Sequence, residues 1–298
     1  MSIIFFEKAL KSLKKANKAR RLIMAGKAGY ETVEDYEKFL VGMINQSNPV
    51  EAISVEVEPE KSSELTDIVI AFDTTGSMDS YIANVKNHVK TLIPNLFSQN
   101  PDLKISIVAF GDYCDMRSSK VFGDAYQVIE LSSDENKLIS FVNRAKSTGG
   151  GDTEEFYELV IKKITEETTW REGSNKSVLL IGDAPPHPVG YHYGVYCSNN
   201  QIDWREEARK ANKLGIKFDT LSIKPSSKWF EELSSITQGV NLPFKNSKKT
   251  TDVIEAMSLA RGGEKTRTIF EAKMRSKEVT TDSELTAVYS TYSKEIIK

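Results

Sequence analysis

Asp73, Thr75 and Ser77 are the residues best suited to chemistry, because they place three oxygen-bearing side chains at fixed spacing after an apolar run. The run reads DIVIAFD, and the spacing reads D-x-T-x-S. A second apolar run, SVLLIGD, also ends in an aspartate, Asp183. The loop TGGGDTEE lies between them in the chain and supplies further oxygen atoms from Asp152, Thr153, Glu154 and Glu155.

These side chains indicate a site for a hard cation. Carboxylates a few ångströms apart repel one another in a partly desolvated site, so they must be protonated or neutralised by a positive ion. The ion is the simpler solution. Carboxylate and hydroxyl oxygens with no histidine or cysteine in the cluster favour Mg²⁺ or Mn²⁺. The alternative is a plain turn in which Ser77 or Asp79 caps the following helix.

The elements that must position these residues follow from periodicity. Short apolar runs alternate with segments of helical spacing, which predicts a doubly wound, mainly parallel six-stranded α/β sheet with helical N- and C-terminal extensions. Strands are predicted at 67–73, 104–110, 126–131, 177–183, 216–222 and 240–244, and helices at 79–93, 134–146, 154–168, 204–214, 226–237 and 248–261. Ligands of open α/β sheets bind at the carboxyl ends of strands, so Asp73 and Asp183 should face one crevice if their strands are neighbours.

The regions flanking this sheet have a different character. Residues 1–46 show two amphipathic helical patterns, and residues 47–64 carry five glutamates against one lysine, which indicates an acidic linker. We assign 65–261 to the α/β domain and 262–298 to a C-terminal helical extension.

Composition limits the class of protein. The chain has 298 residues, 39% of them hydrophobic, and a formal net charge of -2, which excludes a globally basic nucleic-acid binder. Its two cysteines, Cys114 and Cys197, suit a reducing compartment. No apolar stretch approaches the roughly 20 residues of a membrane span, and the first residues do not read as a signal peptide. We expect a cytoplasmic protein.

Four motifs in order resemble a known family: DIVIAFDTTGSM, KISIVAFGDYCD, GGGDTEEFYELV and SVLLIGDAPPH. Together they look like a von Willebrand factor type A (vWA) domain with a metal-ion-dependent adhesion site, in a style similar to integrin β domains and domains attached to α-kinases. The resemblance spans roughly residues 65–261. It implies that Asp73, Thr75 and Ser77 hold an ion, with Thr75 in place of the usual serine, and that Asp183 contributes directly or through water. For the third loop it implies Glu155 first, then Asp152 and Thr153.

The function implied is a non-enzymatic protein-interaction module. A partner's aspartate or glutamate carboxylate would complete the shell of a bound Mg²⁺ or Mn²⁺, and the partner would be a separately encoded ATPase, kinase or other complex subunit. The partner-binding rim is predicted at Asp112, Tyr113, His187 and Tyr191. Replacing Asp73 by alanine is expected to abolish metal and partner binding and to leave the fold intact.

Other functions compete with this one. Basic residues concentrated at 8–21 would allow nucleic-acid or ribonucleoprotein binding, with the α/β domain as scaffold. A further alternative is metal-assisted hydrolysis, in which the bound ion activates a water molecule. His187, His192 and Cys197 would form a zinc site with Cys114, although the spacing matches no usual zinc pattern. Cys114 beside His187 would act as a nucleophile, but no orienting group is evident.

Overall fold

Six β-strands form the centre of the structure, a computed structural model that describes residues 65–118, 120–223, 228–243 and 250–296. All of these residues belong to one unit, Glu60–Lys298. The N-terminal helices predicted within 1–46, the acidic linker at 47–64 and the basic segment at 8–21 lie outside the described residues.

The sheet is mainly parallel, as predicted. Its strand order is β3-β2-β1-β4-β5-β6, and only the β2–β3 pair is antiparallel. The strands are β1 Thr66–Asp73, β2 Leu103–Phe110, β3 Tyr126–Ser132, β4 Asn175–Gly182, β5 Ile216–Ser222 and β6 Asn241–Pro243. The strands that lead to Asp73 and Asp183 are therefore neighbours at the centre of the sheet.

The continuous apolar run of β1 reflects burial on both faces of the sheet. All eight of its residues are buried. Ile68, Ile70 and Phe72 face one helical layer, whereas Val69 and Ala71 face the other. A strand covered on both sides must be apolar at consecutive positions, which is why β1 does not alternate.

Helices cover the two faces of the sheet. One core contains buried residues of α1, α2 and α6, and the other contains buried residues of α3, α4 and α5. Their bounds are α1 Asp79–Gln99, α2 Glu135–Arg144, α3 Tyr157–Glu167, α4 Trp204–Lys213, α5 Lys228–Ile236 and α6 Thr250–Arg261. Within the described ranges, no helix is both long and apolar enough to cross a membrane. The predicted doubly wound α/β fold is confirmed.

Helix α1 is longer than the sequence pattern predicts. The predicted helix ends at residue 93, directly before Pro94, but the observed helix continues to Gln99. A proline inside a helix removes one backbone hydrogen bond and crowds the preceding turn. Leu92 and Ile93 before the proline and Leu96 after it are all buried in the core. Tertiary packing of this apolar side therefore outweighs the local cost of the proline.

Three further helices follow the sheet, at Glu264–Met274 (α7), Lys277–Thr281 (α8) and Ser283–Ile296 (α9). Their apolar side chains Phe270, Val279, Leu285 and Tyr292 belong to the same core as α1 and α6. Phe270 stacks on Tyr289 with ring centroids 4.8 Å apart. The predicted C-terminal helical extension thus packs on the α/β core through these side chains.

Candidate metal centre

The carboxyl ends of β1 and β4 carry the first two aspartates of the predicted site. Asp73 is the last residue of β1, and Asp183 directly follows Gly182, the last residue of β4. Thr75 precedes and Ser77 lies within a short 3-10 turn that leads into α1. Because β1 and β4 are adjacent and parallel, the two ends meet at one edge of the sheet.

Four of the predicted side chains form a row of closely spaced oxygens. Thr75 Oγ1 donates to Asp73 Oδ1 over 2.7 Å, and it lies 3.4 Å from Ser77 Oγ. Ser77 Oγ in turn donates to Asp183 Oδ1 over 2.9 Å. Adjacent ligands of an octahedral Mg²⁺ at about 2.1 Å lie about 3 Å from one another, so this row has suitable spacing for such an ion.

The hydroxyl group of Ser77 does not cap the helix. The residue before α1 is Met78, and no side-chain cap is present there or at Thr75. Ser77 instead bonds to Asp183, which is 106 positions away in sequence. Its side chain therefore joins the two strand ends, which the alternative of a simple capping turn does not explain.

Glu155 lies beside this row, inside the protein. The residue is 3% exposed, its backbone N–H donates to Pro185 O over 3.0 Å, and its Oε2 has no hydrogen-bond partner among the described residues. Burial, with the charges of Asp73 and Asp112, raises the pKa of Glu155 to about 10. Burial also raises the pKa of Asp73 to about 6, although Thr75 and Tyr157 donate hydrogen bonds to it. A cation would offset the cost of keeping both groups ionised.

The loop 149–151 approaches the row closely because it is made of glycine. Gly150 has φ +72°, and a Cβ atom there would lie 2.9 Å from Glu155 Oε1 and 3.4 Å from Thr75 Cβ. Asp115 holds the loop, because its Oδ1 accepts from Gly149 N over 2.8 Å and its Oδ2 accepts from Gly150 N over 3.2 Å. Sequence reasoning missed Asp115, because nothing local indicates its contact with a loop 34 positions away.

Asp73 is supported from within the core by Tyr157. The tyrosine hydroxyl group donates to Asp73 Oδ2 over 2.7 Å, and both side chains are fully buried. The second oxygen, Oδ1, accepts from the backbone N–H and the hydroxyl group of Thr75. Sequence reasoning missed Tyr157, because nothing local distinguishes it from other apolar positions of α3.

The remaining two third-loop residues lie at the mouth of the site. Asp152 and Thr153 are exposed, and Asp152 Oδ2 accepts from Tyr191 Oη over 2.7 Å. They line an open cleft of about 850 Å³, together with Ser77, Glu155 and Asp183. The three candidates for the third-loop ligand therefore lie at different depths, because Glu155 is buried and the other two are exposed.

Three of the four predicted rim residues lie beneath the surface. Asp112, Tyr113 and His187 are buried, and Tyr191 is half-buried. His187 Nε2 lies 2.7 Å from Asp112 Oδ1, and the ring of Tyr191 stacks on His187 with centroids 3.6 Å apart. Among these four side chains, only that of Tyr191 is exposed enough to contact a partner directly.

A second group of potential metal ligands includes this histidine. Ligand atoms of Asp112, Asp152 and His187 all lie within 4.8 Å of one another. Asp112 Oδ2 and His187 Nδ1 are buried and have no hydrogen-bond partner among the described residues. Burial lowers the pKa of His187, but the hydrogen bond and charge of Asp112 outweigh burial, so the pKa is raised. This group joins His187 to carboxylates, and not to Cys114, His192 or Cys197 as in the zinc alternative.

Both cysteines are free thiols. Burial and the neighbouring charges of Asp115 and Asp112 raise the pKa of Cys114 well above its usual value. A thiol that resists ionisation is a poor nucleophile at neutral pH. The geometry therefore gives no support to a catalytic role for Cys114.

Comparison with known sequences identifies the family of the α/β domain. The profile of the von Willebrand factor type A domain family matches residues 67–259. The alpha-protein kinase vwkA of Dictyostelium discoideum is 27% identical over 146 residues, which cover 48% of this chain and 22% of the kinase. A putative ariadne-like RING finger protein, R811, of Acanthamoeba polyphaga mimivirus is 26% identical over 123 residues, 41% of this chain and 11% of that protein. The matches thus span a minor part of each relative.

Solved structures show the same fold. The pilus adhesin SpaC of Lactobacillus rhamnosus GG, in its open conformation, superposes with a TM-score of 0.50 at 12% sequence identity. The match covers 65% of this chain and 29% of the adhesin. At this identity the likeness concerns the fold alone.

Proposed function

The chain belongs to the von Willebrand factor type A domain family, and we propose that it is a cation-dependent protein-interaction module with a metal-ion-dependent adhesion site. Asp73, Thr75, Ser77, Glu155 and Asp183 would hold a Mg²⁺ or Mn²⁺ ion. A carboxylate of the partner protein would complete the coordination from the cleft.

One observation carries this proposal. The oxygens of Asp73, Thr75, Ser77 and Asp183 stand in a continuous row across the ends of two adjacent strands. Beside this row, Glu155 has a buried oxygen, Oε2, that has no hydrogen-bond partner among the described residues. A buried acceptor without a partner is costly, and a hard cation is the ligand that suits a set of carboxylates and hydroxyls.

The residues around the ion would have different roles. When bound, the ion supplies positive charge at the floor of the cleft. Tyr157 and the Thr75 amide hold the Asp73 carboxylate in one orientation, and Asp115 holds the glycine loop close to Glu155. Ser77 is exposed, so the oxygen row reaches solvent at the position where a partner's carboxylate would enter.

We further propose that the module acts by binding, without catalysis. The carboxylates nearest to Ser77, Asp183 and Glu155, are the groups that would hold the ion, and in that role neither would serve as a general base. The free thiols support a reducing location such as the cytoplasm. Because an α-kinase is among the relatives, a kinase is the first class of partner to test.

Ser77→Ala tests the site more cleanly than Asp73→Ala. Asp73 is fully buried and accepts hydrogen bonds from Thr75 and Tyr157, so its truncation would leave the Tyr157 hydroxyl group without its acceptor and destabilise the core. Ser77 is exposed. We expect Ser77→Ala and Glu155→Gln to weaken Mg²⁺ binding by at least about tenfold in isothermal titration of the full chain.

The matched control is Ser80→Ala, an exposed serine in the first turn of α1, which should bind Mg²⁺ as the wild type does. The same proteins then serve as bait for capture from lysate in Mg²⁺ and in EDTA. A partner retained only by wild type and Ser80→Ala, and only in Mg²⁺, supports the proposal. Unchanged Mg²⁺ affinity in both Ser77→Ala and Glu155→Gln would overturn it.

A further inference from the structure

Asp112, Asp152 and His187 form a second group of metal-ligand side chains, none of which belongs to the proposed adhesion site. They come from three separate segments: the loop after β2, the loop between α2 and α3, and the loop after β4. One ligand atom from each residue lies within 4.8 Å of the other two. A point between three such atoms is at most about 2.8 Å from each, and zinc bonds to nitrogen and carboxylate oxygen are about 2.0–2.2 Å long. Small side-chain rotations would therefore bring all three residues into contact with one ion.

Two members of this group have buried atoms that no described residue satisfies. Asp112 is fully buried, its Oδ1 lies 2.7 Å from His187 Nε2, and its Oδ2 has no hydrogen-bond partner in the described part of the chain. His187 is 1% exposed, and its Nδ1 also lacks a partner among those residues. Burial of a carboxylate with an unpaired oxygen costs free energy, and a cation offsets that cost. These atoms therefore indicate a bound cation.

Asp152 links the buried pair to the solvent. It is exposed and lines the open cleft of about 850 Å³. Its Oδ2 accepts a hydrogen bond from Tyr191 Oη over 2.7 Å. Hydrogen bonds of this kind orient a ligating carboxylate and tune its affinity for the metal. An ion that arrives through the cleft would therefore meet Asp152 first, already held in one orientation by Tyr191.

His187 is held at both its backbone and its ring. Its backbone N–H donates to Oε2 of the buried Glu158 over 3.1 Å. Its ring stacks on that of Tyr191 with centroids 3.6 Å apart, and the ring centroid of Tyr113 lies 5.5 Å away. A side chain that is already fixed loses little conformational entropy when it binds a ligand. The imidazole is therefore prepared to act as a metal ligand.

The ligand set differs from that of the adhesion site, because it includes an imidazole and no hydroxyl group. Imidazole suits Zn²⁺ and other transition-metal ions, whereas carboxylate and hydroxyl oxygens suit Mg²⁺. We propose that Asp112, Asp152 and His187 form a second metal site that takes Zn²⁺. Three protein ligands leave the fourth position of a tetrahedral zinc ion for water. This site does not depend on whether the adhesion site holds Mg²⁺.

The test is isothermal titration of the full chain with Zn²⁺ in saturating Mg²⁺, so that the adhesion site is already occupied. We expect saturable zinc binding by the wild type. His187→Gln and Asp152→Asn should each weaken it by at least about tenfold, because each removes one of three ligands. Circular dichroism checks the fold of His187→Gln. Asp152 is exposed, so Asp152→Asn tests the site without a change in the core.

His192→Gln is the matched control, because His192 is an exposed histidine in the same loop after β4. Ser77→Ala separates the two sites, since it should retain the zinc affinity of the wild type. Absence of zinc binding, or unchanged affinity in either His187→Gln or Asp152→Asn, would overturn the proposal. A loss in His192→Gln or Ser77→Ala as large as in those two variants would also overturn it, because it would place the zinc ion elsewhere.

Discussion

Tyr157 shows how single residues away from the cleft shape the site. Its hydroxyl group bonds to Asp73 Oδ2, and its ring packs edge-on against Phe110 with centroids 5.0 Å apart. The fit is tight, since a Cβ atom at Gly182 would lie 1.8 Å from that hydroxyl oxygen. The core, through Tyr157, thus holds one oxygen of the Asp73 carboxylate, and the loop that follows β1, through Thr75, holds the other.

Tyr157→Phe should therefore weaken Mg²⁺ binding by about tenfold, because loss of a hydrogen bond to a metal ligand typically has an effect of this order. The ring would remain, so the core keeps its packing. Isothermal titration with Mg²⁺ measures the change, and circular dichroism checks that the fold is unaltered.

Tyr191→Phe is the companion variant, because it removes the hydroxyl group that donates to Asp152. If the ion lies at Asp73, Thr75, Ser77, Glu155 and Asp183, its affinity should change little in this variant. The reverse result would be weak Mg²⁺ binding by Tyr191→Phe and normal Mg²⁺ binding by Tyr157→Phe. It would place the ion at the group of Asp112, Asp152 and His187.

At the scale of elements, the loop before α3 and the loop after β1 must approach each other. Gly76 N donates to Gly149 O over 3.2 Å, and Thr148 N donates to Thr74 O over 2.9 Å. The side chain of Asp115, in the short 3-10 turn after β2, accepts hydrogen bonds from the backbone N–H groups of Gly149 and Gly150. Backbone hydrogen bonds and the Asp115 carboxylate therefore join the loops after β1 and β2 to the loop between α2 and α3 around the oxygen row.

Gly150→Ala should weaken Mg²⁺ binding strongly, because the added Cβ atom would push against Glu155 and Thr75. The comparison is Gly190→Ala, which also has positive φ, +89°, but has nothing within 4 Å of the added atom. Both variants carry the strain of a left-handed backbone, about 1–2 kcal/mol.

When the two variants are titrated side by side, only Gly150→Ala should lose Mg²⁺ affinity. Thermal unfolding should show that both variants are destabilised. Equal affinities would mean that the glycine loop does not contact the ion site.

At the scale of the whole molecule, the edge of the sheet opposite the metal centre is held by one arginine. Arg171 Nε donates to Asp67 Oδ1 over 2.7 Å, and its Nη2 donates to the carbonyl oxygens of Thr66 and Asp102. Asp67 is fully buried. Arg171 thus joins the beginning of β1, the turn before β2 and the connection between α3 and β4.

Arg171→Ala should lower the free energy of unfolding by about 3 kcal/mol or more, because it leaves a buried carboxylate without its charged partner. Arg205→Ala is the matched change, since Arg205 pairs with Glu232 where both side chains are more than 40% exposed. Exposed pairs contribute about 0–1 kcal/mol.

Urea unfolding of both variants measures the difference. Mg²⁺ affinity should stay normal in each, because Arg171 lies at the other end of β1. A similar small loss of stability in both would show that the Asp67 pair contributes no more than a surface pair.

The amino-acid sequence was sufficient for the class of fold and for the position of the oxygen-rich motifs. β1 and β4 are apolar at consecutive positions because both faces are covered, and such runs are visible without coordinates. D-x-T-x-S is a local pattern, so its three side chains are bound to lie near one strand end. The approach of Asp183 followed once β1 and β4 were taken as neighbours.

Tertiary structure decided what depends on depth and on distant contacts. It placed Glu155 inside and Asp152 outside, buried Asp112 and His187, extended α1 past Pro94, and brought Tyr157 to Asp73 across 84 positions. Burial and long-range hydrogen bonds arise from the summed packing of two helical layers on a shared sheet. Local patterns do not include these contacts, which is why residue type and spacing predicted which oxygen-bearing side chains lie near the strand ends but not how they are arranged.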